Sequence, residues 1–306
     1  MKQKENVSKE VFFSKAWQPF PWHKEAPFPK PPKLIIVSAT PGATISKEQN
    51  PHLPITPEAI VSNHVLAYKA GASIAHVHVR DESGRPFFNP ELFKRIILEI
   101  KAKCPDMLVD ASLSHPHSDD SVEARLEPFF KLGLPVELGT ISAGTFHTIG
   151  QDIYVNRETY LKAAVTYLQE RNVKPVITPY NIKQIEGIKK WAVETGLVKR
   201  PLLNLSYGLY GEPATRDIFR LHLTYLPEKC DWIVEAAGRN WLPLTVEAIL
   251  CGGHVRAGME DSIYMYPHKN DLIKSSVEVV NKVRRIAEEL GRDIASPAET
   301  RKILKI

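Results

Sequence analysis

The sequence has few cysteines. Only three occur among 306 residues, Cys104, Cys230 and Cys251, and they are far apart, with no CxxC pair or other ligand-like spacing. An odd number of cysteines at such spacing does not indicate a disulfide framework and is typical of a reducing compartment. We expect ordinary cytosolic thiols packed in the core.

Long apolar runs are also missing. No stretch of about 18 apolar residues occurs. The first residues, MKQKENVSKEVFFSKAW, contain neither the apolar run nor the small-residue cleavage site of a signal peptide. We therefore expect a soluble, cytoplasmic protein without a membrane partner.

Signals for nucleotide and nucleic-acid binding are weak. No GxGxxG or GxxxxGK motif occurs, so neither common phosphate-binding loop is predicted. Lys and Arg together number 40 against 35 Asp and Glu, a formal charge of +5. The cations are spread along the chain without a run, which argues against nucleic acid as a partner. The mild excess suits an acidic metabolite or a coenzyme phosphate.

Proline and large aromatic side chains are interleaved near the N-terminus. The segment AWQPFPWHKEAPFPKPPK places Trp17, Phe20, Trp22 and Phe28 among prolines, which forbids regular helix but offers large apolar contacts. We predict that residues 1–33 form an extended arm on the barrel or on a neighbouring subunit, and that residues 34–306 form one catalytic domain. The arm and the C-terminal helices lead us to expect a homo-oligomer, either a tetramer or a dimer.

From Leu34 onwards, short apolar or β-branched runs alternate with longer segments of helical period. Eight such strand–helix units of roughly 30 residues match an α/β fold of the (β/α)₈ TIM-barrel type better than an open doubly wound sheet. Extra helices are predicted after the eighth strand. The predicted strands are residues 34–40, 73–81, 107–114, 136–142, 174–181, 201–208, 231–238 and 254–261.

Two histidines, His76 and His78, stand two residues apart in AHVHVRDESGRP on the predicted second strand. Alternate side chains of a strand share a face, so both imidazoles converge on the barrel mouth if that face is the interior. Two neutral imidazoles suit Zn²⁺, which in catalytic sites takes three protein ligands and keeps one position open. The alternative is that one histidine is a hydrogen-bonded core residue and the other faces a helix.

The predicted eighth strand offers a third ligand. In GGHVRAGMEDS, the same alternation places Glu260 on the face of Arg256, at the carboxyl end, where barrel enzymes assemble their active sites. Asp261 would point away if the strand continued, so we expect the chain to turn and bring Asp261 back to the rim. The alternative is a solvated acidic pair leaving a strand.

Other predicted strand ends carry hydroxyl and amide groups that suit hydrogen bonds to a substrate carboxylate or carbonyl. Each alone is more often a capping or turn residue, so the set carries the interpretation. A second HxH, His115 and His117, lies in a loop rich in Pro and Asp, and we interpret it as a rim segment in which His115 contacts substrate. The strand-end residues are Ser112, Ser114, Thr140, Ser142, Asn204 and Ser206.

These motifs together resemble the β-keto acid cleavage enzymes, the family of 3-keto-5-aminohexanoate cleavage enzyme. The resemblance runs from about Leu34 to the C-terminus and rests on NPHLPITPEAI, HVHVRDESGRP, GTISAGT, GGHVRAGMEDSI and ASPAETRKIL. It implies a zinc ion held by His76, His78 and Glu260. It also implies a reaction of a β-keto acid with acetyl-CoA that gives acetoacetate and the CoA thioester of the remaining acyl part.

The resemblance further implies a catalytic pair, Arg256 and Asp261, and a substrate pocket lined by Ser112, Thr140 and Ser142. In this interpretation Asp261 is the base and Arg256 orients it; alternatively, Arg256 mainly stabilises anionic intermediates. Arg239 is a candidate contact for a CoA phosphate, although an arginine there also suits a role in tying down a loop.

The chain departs from the aminohexanoate-cleaving members where those enzymes carry glutamates that meet the substrate ammonium. The matching positions are Thr44 and Ile177. Because a buried ammonium without a carboxylate partner is costly, we predict an uncharged substituent on the substrate. In SLSHP, Ser114 and His115 stand where the family often has small glycines, and they narrow the pocket or add a hydrogen bond.

Two other classes compete with this interpretation. A zinc hydrolase on the same barrel would carry HxH on its first strand and histidines on its fifth and sixth strands, which this sequence lacks. A non-catalytic barrel that binds acyl-CoA would not need the three ligands together with Arg256 and Asp261.

Overall fold

The computed structural model describes residues 24–113, 121–147 and 153–306. The chain divides into two compact units, Met1–Pro31 and Pro32–Ile306. Within the first unit, residues 24–31 are exposed, and Phe28 is 92% exposed. Most of the predicted arm, with Trp17, Phe20 and Trp22, lies outside the described residues.

The second unit contains a closed barrel of eight parallel strands in sequence order, which confirms the predicted TIM-barrel fold. Every predicted strand is present, although most are shorter than predicted because the polar strand ends turn into the loops. The barrel strands are β1 (Ile36–Thr40), β2 (Ile74–Val77), β3 (Leu108–Ser112), β4 (Leu138–Ser142), β7 (Lys174–Thr178), β8 (Leu202–Tyr207), β9 (Asp231–Ala236) and β10 (His254–Gly258).

Helices follow the strands and cover the outside of the barrel. Several begin at a capping side chain: the Thr56 side chain accepts a hydrogen bond from the backbone N–H of Ala59, and the Asn89 side chain accepts one from that of Leu92. The helices are α1 (Pro57–Lys69), α2 (Pro90–Lys103), α3 (Val122–Arg125), α4 (Glu127–Phe130), α5 (Glu158–Gln169), α6 (Ile182–Ile188), α7 (Arg216–Tyr225), α8 (Trp241–Leu250), α9 (Ser276–Glu289) and α10 (Pro297–Leu304). Among the described residues, no helix is long and apolar enough to cross a membrane.

A small antiparallel hairpin is inserted between β4 and α5, and the sequence rhythm does not predict it. It consists of β5 (Phe146–His147) and β6 (Ile153–Tyr154). Because it follows the carboxyl end of β4, it lies on the face of the barrel where active sites are built. It therefore brings two aromatic side chains, Phe146 and Tyr154, to that face.

The barrel interior is apolar at one end and polar at the other. A buried cluster that includes Val37, Ile74 and Leu108 fills the amino-terminal half, and Leu304 of α10 packs against it. Two residues further along β2 and β3 the inward side chains are His76 and Asp110. Because every second side chain of a strand faces inwards, a polar layer that contains His76 and Asp110 lies directly on the apolar cluster.

Candidate active site

A cavity of about 280 Å³ opens at the carboxyl ends of the strands. Its walls come from seven barrel strands and from loops that follow the strands, so distant parts of the sequence converge there. Side chains from the predicted site line it: His76, His78, Ser112, Thr140, Ser142, Thr44, Arg256 and Glu260.

His76, His78 and Glu260 lie together at the bottom of this cavity. The Nε2 atoms of the two histidines are 3.2 Å apart. Oε1 of Glu260 lies 3.1 Å from Nε2 of His78 and 3.7 Å from Nε2 of His76. These three residues each offer a ligand atom within 4.8 Å of the others, so they could hold a metal ion.

Asp110 orients the ring of His76. Its Oδ2 lies 2.7 Å from Nδ1 of His76 and also accepts a hydrogen bond of 2.7 Å from the Thr140 hydroxyl. A carboxylate that accepts from one ring nitrogen of histidine fixes the tautomer and directs the lone pair of the other nitrogen outwards. Nε2 of His76 is therefore aimed at His78 and Glu260.

Arg256 lies among three buried carboxylates. Its guanidinium donates to Asp261 through Nε at 3.1 Å and also through Nη2. Nη2 also lies 3.1 Å from Oε1 of Glu260 and 2.9 Å from Oε1 of Glu235. Asn204 donates to the second oxygen of Glu235 at 2.5 Å. Three buried carboxylates thus contact one buried guanidinium, and this local excess of acidic groups suits a metal cation held by His76, His78 and Glu260.

The two adjacent acids that follow β10, Glu260 and Asp261, differ in their tendency to ionise. Burial opposes ionisation of Glu260, but Arg256, His78 and His76 more than offset this and hold the pKa of Glu260 well below its ordinary value. Burial, reinforced by Glu235 and Glu260 and opposed by Arg256, raises the pKa of Asp261 to about 7. Glu260 is therefore the permanently anionic member and Asp261 the one suited to exchange a proton near neutrality.

The loop after β1 approaches Glu260 closely. A side chain at Gly42, whose φ is +70°, would place its Cβ 2.2 Å from Cγ of Glu260. Buried Arg80 fixes this loop, since it donates to the carbonyl oxygens of Gly42 at 2.7 Å, Ile45 at 2.9 Å and Pro41 at 3.2 Å. Arg80 therefore supports the loop that confines Glu260.

Two predicted residues lie elsewhere. Ile177, predicted to line the pocket, is fully buried in the core between sheet and helices, so that prediction is wrong. Because side chains of a strand alternate, its neighbour Thr178 faces the cavity instead. Arg239 donates to the carbonyl oxygens of Pro267 and Lys269 and to Asn270 and lies over the ring of Tyr264. The loop-tying alternative for Arg239 is thus the role that the structure shows.

Ser114 and His115, predicted to touch the substrate, lie outside the described residues. Ser206 donates to Oε1 of Glu235 at 3.1 Å. The turn expected at Asp261 is present, since β10 ends at Gly258 and Asp261 is buried beside Arg256.

A comparison with protein-family models connects this geometry to a chemistry. Residues 33–306 match the model of the β-keto acid cleavage enzymes. The chain belongs to this family. The resemblance of the motifs is thereby confirmed, and so is the prediction of an enzyme that cleaves carbon–carbon bonds.

Curated members of the family match nearly end to end. The 3-keto-5-aminohexanoate cleavage enzyme of Fusobacterium nucleatum is 38% identical over 275 residues, which cover 90% of this chain and 98% of that protein. The enzyme of the same name from Acetoanaerobium sticklandii is 36% identical over 278 residues, which cover 90% and 98%. The 3,5-dioxohexanoate:acetyl-CoA acetone transferase of Paraburkholderia graminis is 28% identical over 302 residues, which cover 90% and 96%.

A search of solved structures supports the fold. The apo structure of ObcA superposes with a TM-score of 0.68 at 18% identity, and the alignment covers 83% of this chain and 66% of ObcA. At this identity the likeness shows the shared barrel and nothing about the reaction.

Sequence reasoning missed several residues that line the cavity or support its lining. Asp110 stands two residues before Ser112 in LVDAS, so the alternation that selected Ser112 also selects Asp110. Glu235 is an acid that directly follows the apolar run WIV in the strand DWIVEA, which is itself a signal of a functional carboxylate. Tyr180 and Tyr210 follow the ends of β7 and β8 and line the cavity, but no local pattern marks them.

Proposed function

We propose that this protein is a zinc-dependent β-keto acid cleavage enzyme. It would combine a β-keto acid with acetyl-CoA and release acetoacetate and the CoA thioester of the remaining acyl part. The observation that carries the proposal is the convergence of His76, His78 and Glu260 at the bottom of the barrel cavity of a family member.

The three residues fit a zinc ion. Ligand atoms about 2.0–2.2 Å from a tetrahedral zinc lie roughly 3.3–3.5 Å from one another, and the three distances here are 3.1, 3.2 and 3.7 Å. Oε2 of Glu260 is buried and has no hydrogen-bond partner within the described part of the chain, which leaves it available to a cation. When bound, the zinc ion would supply a Lewis acid beside a substrate carbonyl oxygen.

Asp261 acts as the base in this proposal. In the first step its carboxylate takes a proton from the carbon between the keto and carboxylate groups of the substrate. The resulting enolate carbon forms a bond to the carbonyl carbon of acetyl-CoA, and the CoA thiolate leaves. Arg256 donates to the Asp261 carboxylate through Nε and Nη2 and keeps it oriented during proton transfer.

The second half reverses this chemistry at the other carbonyl. The CoA thiolate adds to the original keto carbon, and the bond between that carbon and the former α-carbon breaks. The products are the new acyl-CoA and the carbanion of acetoacetate, which recovers a proton from Asp261. Asp261 is thus an acceptor and then a donor, a role that suits an acid whose pKa is raised to about 7.

The substrate substituent is uncharged in this proposal. Thr44 and Thr178 line the cavity, so the correction from Ile177 to Thr178 leaves both positions without a carboxylate. The cavity acids Glu235 and Glu260 are engaged by Arg256. An ammonium group on the substrate would therefore have no carboxylate at Thr44 or Thr178 to pair with, and burying it there is costly.

The test is an assay of acyl-CoA and acetoacetate formation from acetyl-CoA and a panel of β-keto acids. An informative pair is 3-keto-5-aminohexanoate and its isostere 5-methyl-3-oxohexanoate, which differ only by an ammonium in place of a methyl group. We expect acetyl-CoA-dependent turnover of 5-methyl-3-oxohexanoate and little turnover of 3-keto-5-aminohexanoate. Hydrolysis without acyl transfer, or no reaction with any member, would overturn the proposal.

A further inference from the structure

Four aromatic rings pack into one wall of the cavity. Phe146 and Tyr154 come from the hairpin β5–β6, and Tyr180 and Tyr210 from the loops after β7 and β8. The Phe146 ring centroid lies 4.8 Å from that of Tyr154, 4.4 Å from Tyr180 and 5.1 Å from Tyr210. We call these four residues the aromatic wall.

The geometry of the aromatic wall differs from that of a cage for a cation. A cage for an ammonium group needs ring faces around an open space, with the cation within about 6 Å of each centroid. Here Phe146 occupies the centre of the cluster in contact with the other three rings, and Tyr154 stacks on it with an interplanar angle of 13°. The cluster therefore presents a packed apolar surface to the cavity.

A positive charge already lies next to this surface. The buried guanidinium of Arg125 is 5.7 Å from the ring centroid of Tyr154 and 4.6 Å from that of Tyr160. It donates to Asn156 and to the carbonyl oxygen of Val155, and these contacts fix it in place. A cationic substituent against Tyr154 would be repelled by this guanidinium.

The wall is also without negative charge. Burial raises the pKa of the Tyr180 and Tyr210 hydroxyls, that of Tyr210 to about 12, so both stay neutral. The Tyr180 hydroxyl is further engaged with Ser142 Oγ at 2.8 Å. What this side of the cavity offers a ligand is mainly apolar ring surface.

We propose that the aromatic wall binds the acyl substituent of the substrate and selects a bulky apolar group, branched aliphatic or aromatic, over polar groups of the same size. This inference rests on the proposed function and deepens it, because absence of charge alone would equally admit a hydroxylated substituent. Catalysis stays at Asp261 and Arg256, and the wall sets which β-keto acid reaches them.

The test compares two substrates of the same shape whose substituents at carbon 5 are both uncharged, 5-methyl-3-oxohexanoate and 5-hydroxy-3-oxohexanoate, with acetyl-CoA as co-substrate. We expect kcat/KM to be roughly 10- to 100-fold higher for the methyl compound, the range in which an apolar pocket discriminates against an added hydroxyl. The variants Phe146→Ala and Tyr210→Ala are expected to reduce this ratio towards 1. The control Tyr225→Leu, at a partly exposed position at the end of α7, should keep the wild-type ratio.

The outcomes separate the two proposals. Equal kcat/KM for the two substrates would overturn the role of the aromatic wall and leave β-keto acid cleavage standing. An unchanged ratio of kcat/KM in folded Phe146→Ala and Tyr210→Ala variants would have the same meaning. Absence of acetyl-CoA-dependent turnover with all β-keto acids would remove the proposed function itself. Thermal unfolding of each variant shows whether a lost ratio comes with lost structure, and Tyr210, only partly buried, is the variant expected to fold normally.

Discussion

Oδ2 of Asp110 lies 2.7 Å from Nδ1 of His76, and the same oxygen accepts the Thr140 hydroxyl. When Nδ1 of His76 donates to this oxygen, Nε2 of the same ring presents a lone pair. That lone pair faces Nε2 of His78 at 3.2 Å. Two ring nitrogens and a carboxylate oxygen that lie so close together repel one another, and a shared cation relieves this repulsion.

Replacing Asp110 with Asn is expected to weaken zinc binding by roughly 10- to 100-fold, because an amide supports the His76 tautomer less strongly. Competition between the protein and a chelator of known affinity measures the change. The matched control is Asp231→Asn, a buried carboxylate at the opposite end of the barrel that pairs with Arg200. Equal zinc affinity in both variants would show that Asp110 does not orient the ligand.

Replacing Gly42 with Ala is expected to displace Glu260, since the new Cβ would lie 2.2 Å from its Cγ. Zinc content after dialysis should fall well below that of the unchanged protein. Gly133→Ala serves as the control, because Gly133 has a similar φ of +67° but no atom of residues 24–113, 121–147 or 153–306 lies within 4 Å of the added Cβ. It imposes the same backbone strain without the clash. Full zinc content in the Gly42 variant would count against the confinement of Glu260.

Replacing Asp261 with Asn is expected to lower kcat at least about 100-fold while zinc occupancy stays complete, because the amide keeps a hydrogen bond to Arg256 but cannot take the proton. Steady-state kinetics and metal content are measured on the same preparation. Near-normal turnover with full zinc would exclude Asp261 as the base and favour a role for Arg256 in stabilising anionic intermediates.

The parts of this site that the sequence predicts are those set by the alternation of side chains along a strand. The barrel, the face shared by His76 and His78, and the position of Glu260 all depend on the period of two in strands, which is visible in one segment at a time. The prediction of Ile177 rests instead on matching a position of the resembled family, and that match is one residue out of phase with the strand, where the inward side chain is Thr178. Strand phase is fixed by the neighbouring strands and is therefore not readable from one strand alone.

The aromatic wall shows the opposite case. Phe146, Tyr180 and Tyr210 come from three separate loops, and only the closed barrel brings them within 4.4–6.0 Å of one another. Tertiary contacts between loops leave no periodic signal in a single sequence. Substrate selectivity, which depends on such contacts, is thus the part least accessible from the sequence.

His254 predicts a pH dependence of stability. The ring is buried, and its Nδ1 accepts the backbone N–H of Ile35 at 3.1 Å. Burial, with help from Arg292, lowers the pKa of His254 to about 3, from 6.5. Between these values the unfolded chain binds a proton that the folded protein does not, so stability falls as pH falls through this range.

In the variant His254→Asn, whose side-chain oxygen can accept the same hydrogen bond, this contribution is absent. The free energy of unfolding should then fall less steeply with decreasing pH, by about 1.4 kcal/mol per pH unit. Urea unfolding between about pH 7 and about pH 5, in the presence of a chelator so that metal release does not contribute, measures the slope. Identical slopes for the variant and the unchanged protein would show that His254 protonates equally in both states.

The most direct measurement of the central claim is the metal content and activity of one preparation before chelation, after it, and after zinc is restored. We predict one zinc ion per chain, loss of acetyl-CoA-dependent acetoacetate formation when it is removed, and recovery on re-addition. The variant His78→Ala should not recover. Full turnover by metal-free protein, or a zinc content unaffected by the loss of His78, would contradict the account.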